Sequence, residues 1–227
     1  GTTCYVQKSA SVTSLSRHNE ALVTLTANGR TVAIAEPALD TVRVFDQVDS
    51  RWFQRGSSLE GIRRSQFGRR VALVKYPGEV IGQPNGNLPL TIAIGFGREN
   101  QVSARVMTWV QNTMEWRQIS HDIDLCRGSG CDMSTIDVAE HGDLVVVAAS
   151  ISSHSEGDRT LVYSTIANSS FSEEWIHITS VGGTHCSLSE DGRVLAFVTS
   201  GSALIHKVDL QNISEGDGLS TRRIEFS

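Results

Sequence analysis

The stretch Leu22-Val23-Thr24-Leu25-Thr26-Ala27-Asn28-Gly29-Arg30-Thr31-Val32-Ala33-Ile34-Ala35 carries the fold, together with Thr41-Val42-Arg43-Val44-Phe45 and Arg51-Trp52-Phe53-Gln54. Its apolar runs are short and rich in β-branched and aromatic side chains, which suit a pleated, half-buried surface. Asn28-Gly29 separates the first two runs, and Asn-Gly favours a hairpin because a type I′ turn needs two residues at positive φ. Pro37 and Asp40 divide the second run from the third; Asp49 and Ser50 divide the third from the fourth. The spacing predicts four antiparallel strands.

The unit recurs. A second copy reads Arg70 to Val74, Leu90 to Ile94, Ala104 to Val110 and Trp116 to Ile119. A third reads Thr135 to Val138, Leu144 to Ala149, Thr160 to Ile166 and Trp175 to Ile178, turned at His141-Gly142. A fourth reads Cys186 to Leu188, Val194 to Thr199, Ala203 to Val208 and Arg223 to Phe226, turned at Asp191-Gly192. Trp52, Trp116 and Trp175 fall at the same phase, and the fourth copy lacks a Trp. Four strands repeated every ~50 to 65 residues are the signature of propeller blades. The expected fold is all-β: one β-propeller domain of four-stranded antiparallel blades over residues 1–227, with repeats near 22–61, 70–119, 135–178 and 186–226. Four blades are expected, with a fifth completed by the N-terminal segment as the alternative. A β-sandwich is the competing architecture, disfavoured by the recurring four-part order with its Trp in place.

Cysteine usage bears on the compartment. Cys126 and Cys131 enclose Arg127-Gly128-Ser129-Gly130, a flexible loop that a small disulfide would close. Cys4 and Cys186 remain, and a Cys4–Cys186 bridge is expected where an N-terminal strand closes the last blade. The spacing is long for a zinc knuckle and no second cysteine pair follows, so neither a metal nor another cofactor is expected. Free buried thiols in a cytosolic protein are the alternative. Sequons at Asn168 and Asn212 lean toward the secretory pathway as glycosylation candidates. No apolar run is long enough to span a membrane.

The net charge of −5 conceals an asymmetry. Residues 1–119 hold 14 Lys and Arg against 9 Asp and Glu, net +5; residues 120–227 hold 6 against 16, net −10. Such a molecule can associate with itself or hold a polycation on its acidic side. The candidate polycation-binding carboxylates are Asp122, Asp124, Glu156, Asp158, Glu173, Glu174, Glu215 and Asp217. Six of the 7 histidines lie in the acidic half: His121, His141, His154, His177, His185 and His206. They are candidates for a pH switch, because histidine titrates between neutral and mildly acid pH; ordinary turn and strand positions are the plainer reading, His141 in a turn and His206 on a strand. The cluster Arg63, Arg64, Arg69 and Arg70 has no interleaved aromatics, and the acidic whole argues against nucleic acid. Residues 76–89, rich in Pro and Gly, form the longest irregular insertion and a candidate contact loop.

An enzyme needs a constellation, and the motifs are missing. There is no Gly-x-Ser-x-Gly, no His-Glu-x-x-His and no phosphate-cradling Gly-rich loop. Asp122 and Asp124 would share one face of a strand and make an acidic patch.

Leu188-Ser189-Glu190-Asp191-Gly192-Arg193-Val194-Leu195-Ala196-Phe197 resembles the strand–turn–strand of WD40-like and TolB-type propellers. Val32-Ala33-Ile34-Ala35, Val42-Arg43-Val44-Phe45 and Trp52-Phe53-Gln54-Arg55-Gly56 more closely resemble the repeats of secreted and membrane-anchored diatom proteins, and Ile92-Ala93-Ile94-Gly95 with Trp116-Arg117-Gln118 repeats them. Size, cysteine count and the His-bearing acidic half give the chain a likeness to the lumenal domain of the silicanin family. That resemblance implies a non-enzymatic domain in an acidic, silica-depositing vesicle, anchored by a helix outside this chain. It implies self-assembly at acid pH and association with long-chain polyamines, other cationic biomolecules and silica in biomineralisation. The rival expectation is a propeller module that recognises a protein or glycan through its loops.

Overall fold

The computed structural model describes residues 21–74, 90–98, 100–166, 174–199, 202–208, 210 and 223–224. The expected closing strand near the N-terminus, Cys4 and the 76–89 loop lie outside the described residues, as do Asn168, Asn212, Glu173, Glu215 and Asp217.

Four antiparallel sheets follow one another along the chain. The first holds β1 (Leu22–Leu25), β2 (Thr31–Glu36), β3 (Thr41–Val48), β4 (Arg51–Gln54) and β5 (Leu59–Glu60). The second holds β6 (Arg70–Leu73), β7 (Thr91–Arg98), β8 (Gln101–Val110), β9 (Glu115–Gln118) and β10 (Ile123–Arg127). The third holds β11 (Asp132–His141), β12 (Leu144–Ser152), β13 (Arg159–Ile166) and β14 (Ile176–Gly182). The fourth holds β15 (His185–Leu188), β16 (Val194–Thr199), β17 (Ser202–Lys207) and β18 (Arg223–Ile224). Each sheet is an up-and-down meander, and each stacks on the next through its first strands: β1 and β2 meet β6, β6 and β7 meet β11, β11 and β12 meet β15. This is a β-propeller architecture.

The sequence reading placed these strands closely but missed one device. In the first two sheets the outer position is shared by two short strands. β3 pairs with β5 at Thr41–Val42 and with β4 from Phe45 to Val48; β8 pairs with β10 from Gln101 to Ala104 and with β9 from Met107 to Val110. The partner strand ends midway and a new one takes over, so β8 can be longer than either partner.

Hairpin chemistry follows local sequence. In the first hairpin Asn28 Oδ1 accepts from Arg30 N, and Thr26 Oγ1 accepts from Thr31 N. Asp191 Oδ1 and Ser189 Oγ do the same for Arg193 N and Val194 N in the fourth. Gly29 and Gly192 sit at φ of 67° in these turns, where a Cβ is disfavoured.

Three apolar layers lie between consecutive sheets. Ala33, Ala35, Val42 and Val44 pack on Leu73, Ile92, Ile94 and Trp109. Ala93, Val102, Ala104 and Val106 pack on Met133, Val138, Val145 and Val147. Ala139, Val146 and Ala148 pack on Leu188, Leu195, Phe197 and Leu204. Small residues let the backbones approach: a Cβ on Gly95 would lie 2.4 Å from Met133 Sδ, and one on Gly56 would lie 2.5 Å from the Trp109 ring.

Polar latches cross each layer. Trp116 Nε1 donates to the Arg55 carbonyl and Trp175 Nε1 to the His121 carbonyl, both at 2.9 Å, so the recurring Trp ties its sheet to the preceding one. Arg70 Nε donates to the Ser134 carbonyl, and Arg69 pairs with Asp132. Two members of the arginine cluster are therefore taken up in the second junction, whereas Arg63 and Arg64 are exposed. At the third junction the buried Asp137 accepts from Ser187 Oγ and Leu188 N, both at 2.9 Å. Asp137→Ala would strand these donors in an apolar layer. It should destabilise the domain by about 2–4 kcal/mol in urea unfolding, whereas Trp116→Phe, which loses one neutral hydrogen bond, should cost about 1 kcal/mol.

Candidate functional site

The surface that combines the cysteine loop, a histidine and several candidate acids lies where the second sheet passes into the third. Cys126 lies at the end of β10, one residue before the strand stops at Arg127, and β11 opens the third sheet just after Cys131. The expected disulfide joins them, with Cα atoms 6.0 Å apart, and so staples the crossover between two sheets. Closing so short a loop stabilises the fold by roughly 2 kcal/mol on chain entropy. A disulfide fits an oxidising, secretory or extracellular environment, and among the described residues no helix is long and apolar enough to cross a membrane.

The β12–β13 hairpin leans on this loop. Its exposed His154 packs its ring on the backbone of Gly130, so closely that a Cβ there would sit 2.2 Å from the imidazole. Ser153 and Gly157 close the hairpin with reciprocal backbone hydrogen bonds. Glu156 and Asp158 project from it, both exposed, and Glu156 pairs with Arg159. No spacing rule connects residue 154 to residue 130; only the stacking of sheets brings them together.

The structure separates the candidate acids into two groups. Asp122 receives both Arg105 Nε and Nη2, at 2.8 and 2.9 Å, and Gln118 Nε2 at 3.0 Å. Asp124 pairs with Arg127 and accepts from Gln101 Nε2 and Ser103 Oγ. Slight burial works against the Asp124 carboxylate, but the hydrogen bonds from Arg127, Gln101 and Ser103 hold its carboxyl below the usual range. The register places Asp124 opposite Ser103 on β8, so these two acids line the β8–β10 edge as internal ion pairs. Asp158 and Glu174 remain exposed, without an ion pair among the described residues. Glu190 and Asp191, at the tip of the fourth hairpin, are also exposed and were not among the expected ligands. The signal for them was present: an acidic dipeptide in a tight turn faces solvent.

Cys186 carries a free thiol, and Cys4, its expected bridge partner, lies outside the described residues. Cys186 N donates to Thr135 Oγ1 at 3.0 Å and its Sγ lies 3.4 Å from the same oxygen, so the side chain points into the layer between the third and fourth sheets. Burial pushes the thiol up, and it stays protonated at neutral pH.

The histidines divide as well. His121, His154 and His185 are exposed, and His141 is half-buried and bonded through Nε2 to Arg193. His206 is buried on the face of β17 that carries Leu204, opposite Leu195, and this burial lowers its pKa. His177 lies edge-on to the Tyr163 ring at 5.2 Å; desolvation and then Arg159 lower its pKa. Of the six switch candidates, His177 and His206 are thus the two whose surroundings disfavour the charged form.

No protein-family model matches the chain, and no curated protein matches it. Solved structures do. Hydrazine synthase of Kuenenia stuttgartiensis superposes with a TM-score of 0.52 at 12% identity, over 86% of this chain and 55% of that one. Two Bacteroides proteins named provisionally as 6-phosphogluconolactonases each superpose with a TM-score of 0.53 at 13% identity. The B. uniformis protein aligns over 88% of this chain and 52% of its own, the B. fragilis protein over 95% and 57%. The chain spans about half the length of these structures. At such identities the likeness is one of fold alone.

The histidine environments fix a pH dependence. A folded-state pKa below the unfolded value means that the unfolded chain binds protons first as pH falls. Stability should therefore decline from about pH 6.5 downward through the depressed folded values. His206→Gln should flatten this decline in thermal melts recorded between about pH 7 and 5; an unchanged slope would show that His206 is not a source of it.

Proposed function

We propose that this chain is a non-enzymatic binding module whose acidic half holds polycations of the amine class. In the setting implied by its resemblance to diatom repeat proteins, these are long-chain polyamines in silica deposition. The observation that carries the reading is the sorting of charge along the stack. The basic residues concentrate in the first two sheets, while residues 120–227, net −10, supply β10 and the third and fourth sheets. A multivalent amine gains from several carboxylates at once, and the attraction weakens with salt.

The geometry narrows the ligand set. Asp122, Asp124 and Glu156 are already countered by Arg105, Arg127 and Arg159. Among the described residues of this half, Asp158, Glu174, Glu190 and Asp191 are exposed acids outside these three ion pairs and are the ones proposed to meet a cation. Silica association would follow through the bound amine, because a net-negative surface repels silicate. Acid-induced assembly would draw on the exposed histidines, His121, His154 and His185. Positive charge added to the acidic half opposes cation binding, so the two activities would have different pH optima.

Titration of a linear polyamine into the protein at pH 7.5 tests the reading. Affinity should fall steeply between ~50 and ~300 mM salt. The double variant Asp158→Asn/Glu174→Gln should bind several-fold more weakly, at an unchanged melting temperature. Binding that is indifferent to salt, or undiminished in the variant, would remove the electrostatic argument and favour loop-mediated recognition of a protein or glycan.

A further inference from the structure

The first hairpins of the third and fourth sheets follow one plan and differ at one position. In the fourth sheet Ser189 and Val194 close the turn, and the next pair, Leu188 with Leu195, is buried. In the third sheet His141 and Leu144 close the turn, and the next pair is Glu140 with Val145. A carboxyl therefore stands where the following sheet carries a buried leucine. Ile136 and Val138 of the same strand pack toward the second sheet, and alternation turns Glu140 the same way.

Glu140 is half-buried and hydrogen-bonded to Thr91 of β7, which is 1% exposed. Thr91 Oγ1 lies 3.4 Å from Thr108 Oγ1 on β8. Val145 continues the row from Glu140 to Thr165 on β13, a buried residue whose Oγ1 has no hydrogen-bond partner. These groups make the turn end of an otherwise apolar layer polar. β6 brings Ala72 and Val74 to the same layer. On β9, Arg117 is paired in register with Thr108 and is exposed. On the hairpin itself, His141 reaches Arg193 of the fourth sheet, and Asp143 is exposed in the turn. None of these charges moves the Glu140 carboxyl: burial pushes it up, against the hydrogen bond to Thr91.

An ionised carboxylate in a leucine position costs stability that hydroxyl neighbours offset only in part. We propose that Glu140 is a proton-operated clasp of the second junction: with a proton taken from solvent it seats against Thr91 and closes the turn end of the layer, and without that proton the end loosens. A carboxyl with a higher pKa in the fold than in the unfolded chain binds its proton more tightly in the fold. It stabilises the fold as pH falls and loses that contribution as pH rises through the folded value. Glu140 thus opposes the two buried-side histidines. His177 and His206 weaken the fold on acidification, whereas Glu140 tightens the contact between the second and third sheets. The clasp is separate from amine binding and needs no ligand.

Thermal melts of the whole chain between about pH 7.5 and 4, a window that spans carboxyl titration, compare the wild type with Glu140→Gln. Glutamine keeps the shape and cannot ionise. At about pH 7.5 the variant should melt roughly 2–4 °C above the wild type. The difference should shrink as pH falls and vanish by about pH 4, below the unfolded carboxyl value. Both proteins carry the same histidines, so the difference isolates Glu140. Hydrogen exchange read by mass spectrometry and corrected for its intrinsic pH dependence locates the effect, and needs the wild type alone. Protection of β7 and β11 should rise, relative to β2 and β3, between about pH 7.5 and 5; in Glu140→Gln it should be high at both. A variant that melts below the wild type at neutral pH would overturn the proposal, because the carboxylate would then be held by a cation, such as Lys75, which lies outside the described residues. So would a difference that stays constant with pH, or wild-type protection of β7 and β11 that does not rise on acidification.

Discussion

A four-stranded sheet that is apolar on both faces is stable only when both faces are covered, and this chain covers them by stacking each sheet on the next. Isolated strands and hairpins bury too little surface to hold together, so the stack is the stabilising unit and the individual sheet is not. Alanine and glycine at Ala33, Ala35, Gly95, Ala139 and Ala148 permit close approach between sheets, while Phe67, Met133 and Leu195 fill the remaining space.

Orientation comes from the polar groups at the rims of those apolar layers. Apolar contact alone tolerates sliding, because it is non-directional. Hydrogen bonds from Trp116, Trp175 and Arg70, and to Asp137, fix the offset of one sheet against the next. The Cys126–Cys131 disulfide does covalently at the second junction what these bonds do elsewhere. The Leu188 bond to Asp137 is buried and those of Trp116 and Arg70 are half-buried, which limits competition from water, whereas the Trp175 bond to His121 is exposed.

The same stacking decides which charges are available. Arg105 on β8 is brought beside Asp122 by strand pairing, Arg127 pairs with Asp124 along the same strand, and burial lowers the pKa of His206. Ion pairing leaves the net charge unchanged but lowers the number of uncountered carboxylates that a partner meets. Among the described residues, Glu156, Asp158, Glu190 and Asp191 are exposed on hairpin tips. Among the described residues no group of three or more His, Cys, Asp or Glu side chains converges as metal ligands.

Local sequence determined the strands, their four-part recurrence, the Asn28-Gly29 and Asp191-Gly192 hairpins and the closure of Cys126 on Cys131. Each depends on neighbours within a few residues, where alternation and turn chemistry act directly. Tertiary structure alone decided the division of the outer position between β9 and β10, the free thiol of Cys186 beside Thr135, the seating of His154 on Gly130 and the pairing of Arg105 with Asp122. These contacts join residues from different strands or different sheets. Alternation along a strand says that a side chain points to one face or the other, but not what the next sheet will place against it.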